Sequence, residues 1–226
     1  MTATDRSYYY VRMGNALSTR GRILEQGLAL MSQNGFAAVT LGILAGQVGM
    51  SKSGLFAHFK SKEDVQIGLL EHAVQFAQVH VIAPAMKQPI GLPRLKAVIA
   101  NWFGWTKRAG LPGGCPVAAG MFEFDDVESP VRDTILAREN EWRAFLEQRV
   151  TEAATRGHLK KDLDAQQFVW ELCGIYLAHH AAYRFVKAKD ADQRANIAIS
   201  SLLARSSPAK KASGANKASL VSTKRM

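Results

Sequence analysis

The chain has 226 residues, 47% of them apolar, with two cysteines and a formal net charge of +10. That length and apolar content support one or two domains with a sizeable buried core. Cys115 and Cys173 are too few for a disulfide scaffold or a zinc site, no apolar run reaches the roughly 18–20 residues that span a bilayer, and the first ten residues lack the apolar stretch of a secretory signal, so the expected compartment is the cytoplasm.

The charge is unevenly placed. Residues 1–62 carry seven basic and two acidic side chains, residues 206–226 five basic and no acidic ones, and the stretch between is balanced. A basic head on a neutral body suggests a nucleic-acid-binding module joined to a module with another job.

Taken in chain order, residues 1–17 read as a loose arm in which Tyr8, Tyr9 and Tyr10 have no assigned role. The spacing of Ile23, Leu24, Gly27, Leu28 and Met31 predicts a helix over Thr19–Asn34, stopped by Gly35. Thr40 caps a short second helix whose Leu41, Leu44, Ala45 and Val48 share one face. Gly49 supplies the positive φ that turns the chain, and Ser51 caps a third helix that buries Leu55, Phe56 and Phe59. Outside remain Lys52, Ser53, Gly54 and His58: Gly54 allows close approach to a sugar-phosphate surface, and Ser51, Lys52, Ser53 and His58 can donate to phosphates. Two short helices joined by a tight turn, the second ringed by cationic and hydroxyl groups, are the layout of a helix-turn-helix that reads DNA. A plain helical hairpin is the alternative.

Ser61 to Asp64 caps a longer helix, predicted to reach about His80 and to be closed off by Pro84 and Pro89. Further helices are predicted over Leu92–Arg108, Pro130–Arg156, Asp164 to about Lys187, and about Asp190 to Arg205, with a short one over Val117–Phe124 after the glycine loop at Gly113 and Gly114. Residues 206–226 are basic and of low complexity and read as a disordered tail. No segment reads as a strand, so the expected fold class is all-α.

With Ile23-Leu24, Gly35-Phe36, Thr40, Leu44-Ala45, Val48-Gly49-Met50-Ser51, Gly54-Leu55-Phe56-Ala57-His58-Phe59 and Lys62-Glu63-Asp64, residues 19–70 resemble the DNA-binding domain of the tetracycline-repressor family. The resemblance implies about nine helices: a three-helix DNA-binding domain over 18–63 and a larger helical effector-binding and dimerisation domain over 64–205. It also implies a homodimer, released from a palindromic double-stranded operator by a small effector, with phosphate contacts from Thr40, Lys52, His58 and Lys62; an effector wedged between the body helices is expected to act by moving the helix from Ser61 to His80, which joins pocket to head. Two departures stand out. The family places a tyrosine where this chain has Phe56, and Gly42 and Gly46 replace charged residues, each at a cost of about 0.5–1 kcal/mol of helix stability relative to alanine.

In the body, large side chains at helical spacing are most simply core. Those on the helices that enclose the family's pocket, Trp102, Trp105, Met121, Phe122, Trp142, Phe145, Trp170 and Cys173, are the candidates for a cavity that favours an apolar or aromatic effector. Leu172, Ile175, Tyr176, His179, His180 and Tyr183, with Ile199 and Leu202, are the candidates for a four-helix dimer interface. Neither a cofactor nor a metal is expected; His179 and His180, adjacent on a helix, point about 100° apart. The acidic run Glu123, Asp125, Asp126, Glu128 reads as a cation binder or a solvated loop. Two further readings stand beside the regulator: an enzyme using Cys115 as nucleophile, for which nothing fixes a base, and a protein that coats DNA through its lysine tail without sequence preference.

Overall fold

The computed structural model describes residues 18–209, and every regular element among them is helical. In order these are α1 (Thr19–Asn34), α2 (Leu41–Gln47), α3 (Lys52–Phe56), α4 (Lys62–Ala77), α5 (Ala83–Met86), α6 (Leu92–Trp102), α7 (Trp105–Arg108), α8 (Pro116–Glu123), α9 (Pro130–Thr155), α10 (Ala165–Ala181) and α11 (Ala191–Ser206), with π turns at Gln78–Ile82 and Ala182–Val186. The expected arm and nearly all of the expected basic tail, including its lysines, lie outside the described residues.

Hydroxyl caps set the helix starts in the head. The side-chain oxygens of Ser18, Thr40, Ser51 and Ser61 accept from the backbone N–H groups of Gly21, Ile43, Gly54 and Asp64 at 3.0–3.2 Å. Each such cap contributes about 1 kcal/mol, and the Thr40 cap offsets part of the weakness that Gly42 and Gly46 bring to α2. Between α2 and α3, Gly49 sits at φ 67°, a conformation that costs a side-chain-bearing residue strain. Ile23, Leu28, Phe36, Leu44, Leu55, Phe59 and Leu69 close one core, which extends to Val131 and Ile135 of α9. Where α1 crosses α4, a Cβ on Gly27 would lie 2.8 Å from Leu69 Cδ2, so a side chain there would have to displace the Leu69 methyls.

The second core fills the body with Leu95, Val98, Trp102, Leu146, Val150, Phe168 and Leu172. Three helix boundaries differ from those expected. Pro84 does not end the helix that starts at Lys62: the backbone stays helical through the π turn to Met86. The turn lies just where the proline ring would otherwise strike the carbonyl one turn back, and the widened geometry relieves it. The expected helix over Leu92–Arg108 breaks, because Phe103 turns extended and Gly104 takes φ 70°; the Phe103 ring thereby reaches Tyr176 and His179, with centroids 5.5 and 5.3 Å away. The expected tail begins one residue later, since Ser206 is buried at the end of α11 and its carbonyl accepts from the Lys160 N–H.

Four polar contacts knit α1 and the segment after it, α4, the loop before α8, the end of α8 and α9 together. The Gly114 N–H donates to Ser32 O of α1 at 2.8 Å, and Gln66 Nε2 donates to Phe36 O at 2.9 Å. The Glu123 carboxylate, at the end of α8, accepts from the N–H groups of Phe36 and Ala37 at 2.9 and 3.3 Å, and Arg138 of α9 pairs with Glu71 of α4 at 2.8 Å.

Candidate functional site

The outward surface of the head is built by α2 and α3. Ser51, Lys52, Ser53, Phe56 and Lys62 are exposed, while Thr40, Gly54 and His58 are half-buried. Ser51 Oγ both caps α3 and shares a 3.0 Å hydrogen bond with Ser53 Oγ, so the two hydroxyls are held side by side at the helix start. Lys52 runs across α2: a Cβ on Gly42 would come 3.1 Å from Lys52 Cε. The glycine thus opens a trough for the lysine stem, which gives a physical reason for one of the two departures noted above. Next to Gly46 a Cβ would meet nothing, and the structure supplies no account of it.

Phe56 corrects the sequence reading of α3. It was expected to bury with Leu55 and Phe59, yet it is 51% exposed while they are sealed in the core. Phe56 follows Leu55 by one position, a step of about 100° that carries it off the inner face taken by Leu55. Arg20 covers the Phe59 ring at 4.6 Å and adds a cation beside the head.

Inside the body lies a cavity of about 370 Å³. Six of the eight expected residues line it: Trp102, Trp105, Met121, Trp142, Phe145 and Cys173. Their rings form a connected set, with Trp102 and Trp142 centroids 5.0 Å apart, Trp142 stacked on Phe145 at 5.4 Å and Trp102 stacked on Tyr176 at 4.0 Å. Phe122 and Trp170 do not take part; each is 66% exposed and points out of the subunit. Phe122 follows Met121 by one position on α8, a step of about 100° that carries it off the inner face. The wall also includes Ala77, Gln78, Val81 and Ile82 of α4 and its π turn, and Cys115, Val117 and Ala118 of α8. Thus α4 and α8, both of which hold the head, touch the cavity.

The polar side of this cavity is carried by α9, from which Arg138, Glu139 and Glu141 line it beside Trp142. Trp142 Nε1 is buried and has no hydrogen-bond partner among the described residues. Glu139 is pushed up from the usual carboxylate range by burial, against the pull of Arg143, which it meets at 2.8 Å. Burial likewise raises the Cys173 thiol to about 11. Cys115, within hydrogen-bonding reach of Tyr176 and Trp105, is also raised by burial, whereas a nucleophilic thiol needs a lowered pKa.

The expected dimer residues are mostly turned inward. Leu172, Tyr176 and Leu202 are core, His179 is buried against Asp192 at 2.7 Å, Ile175 and Ile199 pack on the core, and His180 and Tyr183 line a second depression. The outward face of α10 is a different stripe, Trp170, Gly174, Ala178, Ala181 and Phe185, all exposed, flanked by Ile197 of α11. Intervals of three and four place these on one arc of the helix, and Trp170 belongs to this stripe rather than to the cavity. Two apolar faces on one helix made the sequence ambiguous as to which of them faces inward. In the acidic run, Glu123 serves as the clamp on the head described above. Among the described residues no group of three His, Cys, Asp or Glu could hold a metal ion, and no helix is long and apolar enough to cross a membrane.

Residues 23–66 match the family described as bacterial regulatory proteins, tetR family, and residues 91–199 match the tetracyclin repressor-like C-terminal domain. The chain belongs to the tetracycline-repressor (TetR) family of transcriptional regulators. It is 28% identical over 141 residues to the nucleoid occlusion factor SlmA of Photobacterium profundum, covering 60% of this chain and 71% of that protein. It is 36% identical over 53 residues to the HTH-type transcriptional regulator YerO of Bacillus subtilis, covering 24% of this chain but only 18% of that relative. Among solved structures, a TetR-family regulator from Cytophaga hutchinsonii superposes with a TM-score of 0.76 at 18% identity, over 87% of this chain and all of that one. AibR, solved with isovaleryl coenzyme A and operator DNA, gives 0.61 at 19% identity over 79% of this chain and 96% of that one. These likenesses extend the TetR fold across head and body together.

Proposed function

We propose that this TetR-family regulator binds a palindromic operator as a homodimer in the cytoplasm, represses from it, and leaves it when a small effector enters the inner cavity. Thr40, Lys52, His58 and Lys62 contact phosphates, while Ser51, Ser53, Gly54 and Phe56 approach the groove. Phe56 contributes an exposed ring without a hydroxyl, so affinity leans on the two lysines. The effector is apolar or aromatic and carries one hydrogen-bond acceptor, which meets Trp142 Nε1. Two copies pair through the Trp170–Phe185 stripe and Ile197, with the small side chains at Gly174 and Ala178 letting helices approach closely.

One observation carries the reading: the cavity is walled by α4 and α8, and both helices also hold the head, α4 as part of its core and α8 through Glu123. A ligand that fits only one arrangement of these helices shifts the population toward it, and moving a regulator from mostly bound to mostly free takes about 5 kcal/mol of preference. The test is crystallography of the dimer with and without an effector found by thermal-shift screening of apolar and aromatic acceptors. Head separations that differ support the reading; identical separations overturn it.

A further inference from the structure

A second depression, about 640 Å³, opens between α6, α7, α10 and α11 on the far side of Trp105 and Tyr176, which line both cavities. Its character is unlike that of the inner cavity. Lys96, Lys107, Arg108, His180 and Arg184 come to it from three helices and a π turn, against a single acid, Asp192, which is already held by His179. Arg108 is engaged with the carbonyls that end α6, at Phe103, Ala100 and Asn101. Among the described residues Lys96, Lys107 and Arg184 have no ion-pair partner. Phe103, Tyr183, Ile199 and Leu203 supply apolar wall. A concave surface with unpaired cations over aromatic and aliphatic side chains is suited to an anion with an apolar body, since charge-assisted hydrogen bonds are the strong ones and a cleft of one sign concentrates the field.

We propose that this outer cavity is a second ligand site, separate from the effector cavity, which takes a small organic anion: a carboxylate or phosphate on an apolar or aromatic body. Arg184 and Lys107 grip the anionic group and His180 joins them as a donor. His180 is held below the ordinary imidazole value by burial, by Arg184 on the next turn and by His179; Lys107 and Arg108 face it from α7, Lys96 from α6 and Asp192 from α11. An anion among these groups favours the protonated ring, so affinity rises as the pH falls through the histidine range. The site also adjoins the head, because its wall residue Gly114 donates to Ser32 O.

Calorimetric titration of the full chain without DNA, using 2-naphthoate, 2-naphthyl phosphate and neutral 2-naphthamide, tests this independently of operator binding, so its failure would leave the regulator reading untouched. The expected result is that at least one anion binds about tenfold more tightly than the amide, and that the double variant Arg184→Gln, Lys107→Gln, at a half-buried and an exposed position, loses about that factor. Which anion binds better tells a carboxylate site from a phosphate site. On saturation the His180 signal in a histidine-resolved NMR titration moves to a higher pKa. Equal binding of anions and amide, affinity unchanged in the double variant, or an unmoved His180 each overturns the proposal.

Discussion

The head and the body bury their cores by different means, and the difference decides what each can do. In the head, four hydroxyl caps and one glycine turn arrange short helices from neighbouring residues, and the functional groups are what remains outside: Ser51, Lys52, Ser53 and Phe56. In the body, long helices bring together residues as far apart as Val81 and Cys173, and the functional space is an interior left between Trp102, Trp142, Phe145 and Tyr176. A surface built locally is sensitive to charge and tolerant of packing changes; an interior assembled over distance is the reverse.

The sharpest way to break that contrast is to exchange the two kinds of damage. Trp102→Ala removes a ring that stacks on Tyr176 at 4.0 Å and meets Trp142 edge-on. It should cost about 3–5 kcal/mol in chemical denaturation, while the reading face keeps its residues. Next in size, Lys52→Glu should leave thermal unfolding within about 0.5 kcal/mol of the natural protein, as surface changes do, yet weaken DNA binding about a hundredfold at 0.1–0.2 M salt, because the proposed phosphate contact in each copy of the proposed dimer becomes a repulsion. Equal losses of stability in the two variants would erase the distinction.

The join between the regions gives a smaller effect. Glu123→Ala deprives the Phe36 and Ala37 amides of their acceptor. Because Glu123 is exposed, the expected cost is about 1 kcal/mol, with hydrogen exchange accelerating around 36–37 more than in the body core. Smallest is the dependence on pH. Burial holds His72 and His180 below the ordinary imidazole value of 6.5. The unfolded chain then binds protons that the folded chain refuses, so stability is full above that value and falls as the pH drops through it. A melting temperature a few degrees lower at about pH 5.5 than at about pH 7.5 is expected, with the difference reduced in His72→Gln.

The same contrast explains how far the sequence could be read. The first helix was legible from its periodicity and Gly35, and the turn from Gly49 and Ser51, because caps and turns are local chemistry. Six of eight cavity residues followed from being large and apolar on enclosing helices. Phe122 and Trp170 were not separable from them, since hydrophobicity alone does not say which side of a helix faces inward. The expected dimer residues were hard to place for the same reason: α10 is apolar on two sides, and Leu172 and Tyr176 lie on the inner one. Glu123 had no local signal at all, as its partners are 86 and 87 residues away. The break at Gly104 needed Tyr176 and His179 in place to show why Phe103 leaves the helix.

The most direct test of the central claim is fluorescence anisotropy of the full chain on its own upstream DNA and on a shuffled duplex of equal composition, across a salt series. The expected result is tight binding to the upstream fragment alone, saturating at two or four subunits per site and retained in a chain ending at Ala209, which keeps every described element and lacks the lysines beyond it. Equal binding to both duplexes, lost on that truncation or by about 200 mM salt, would contradict it and make the basic tail, not the head, the source of affinity.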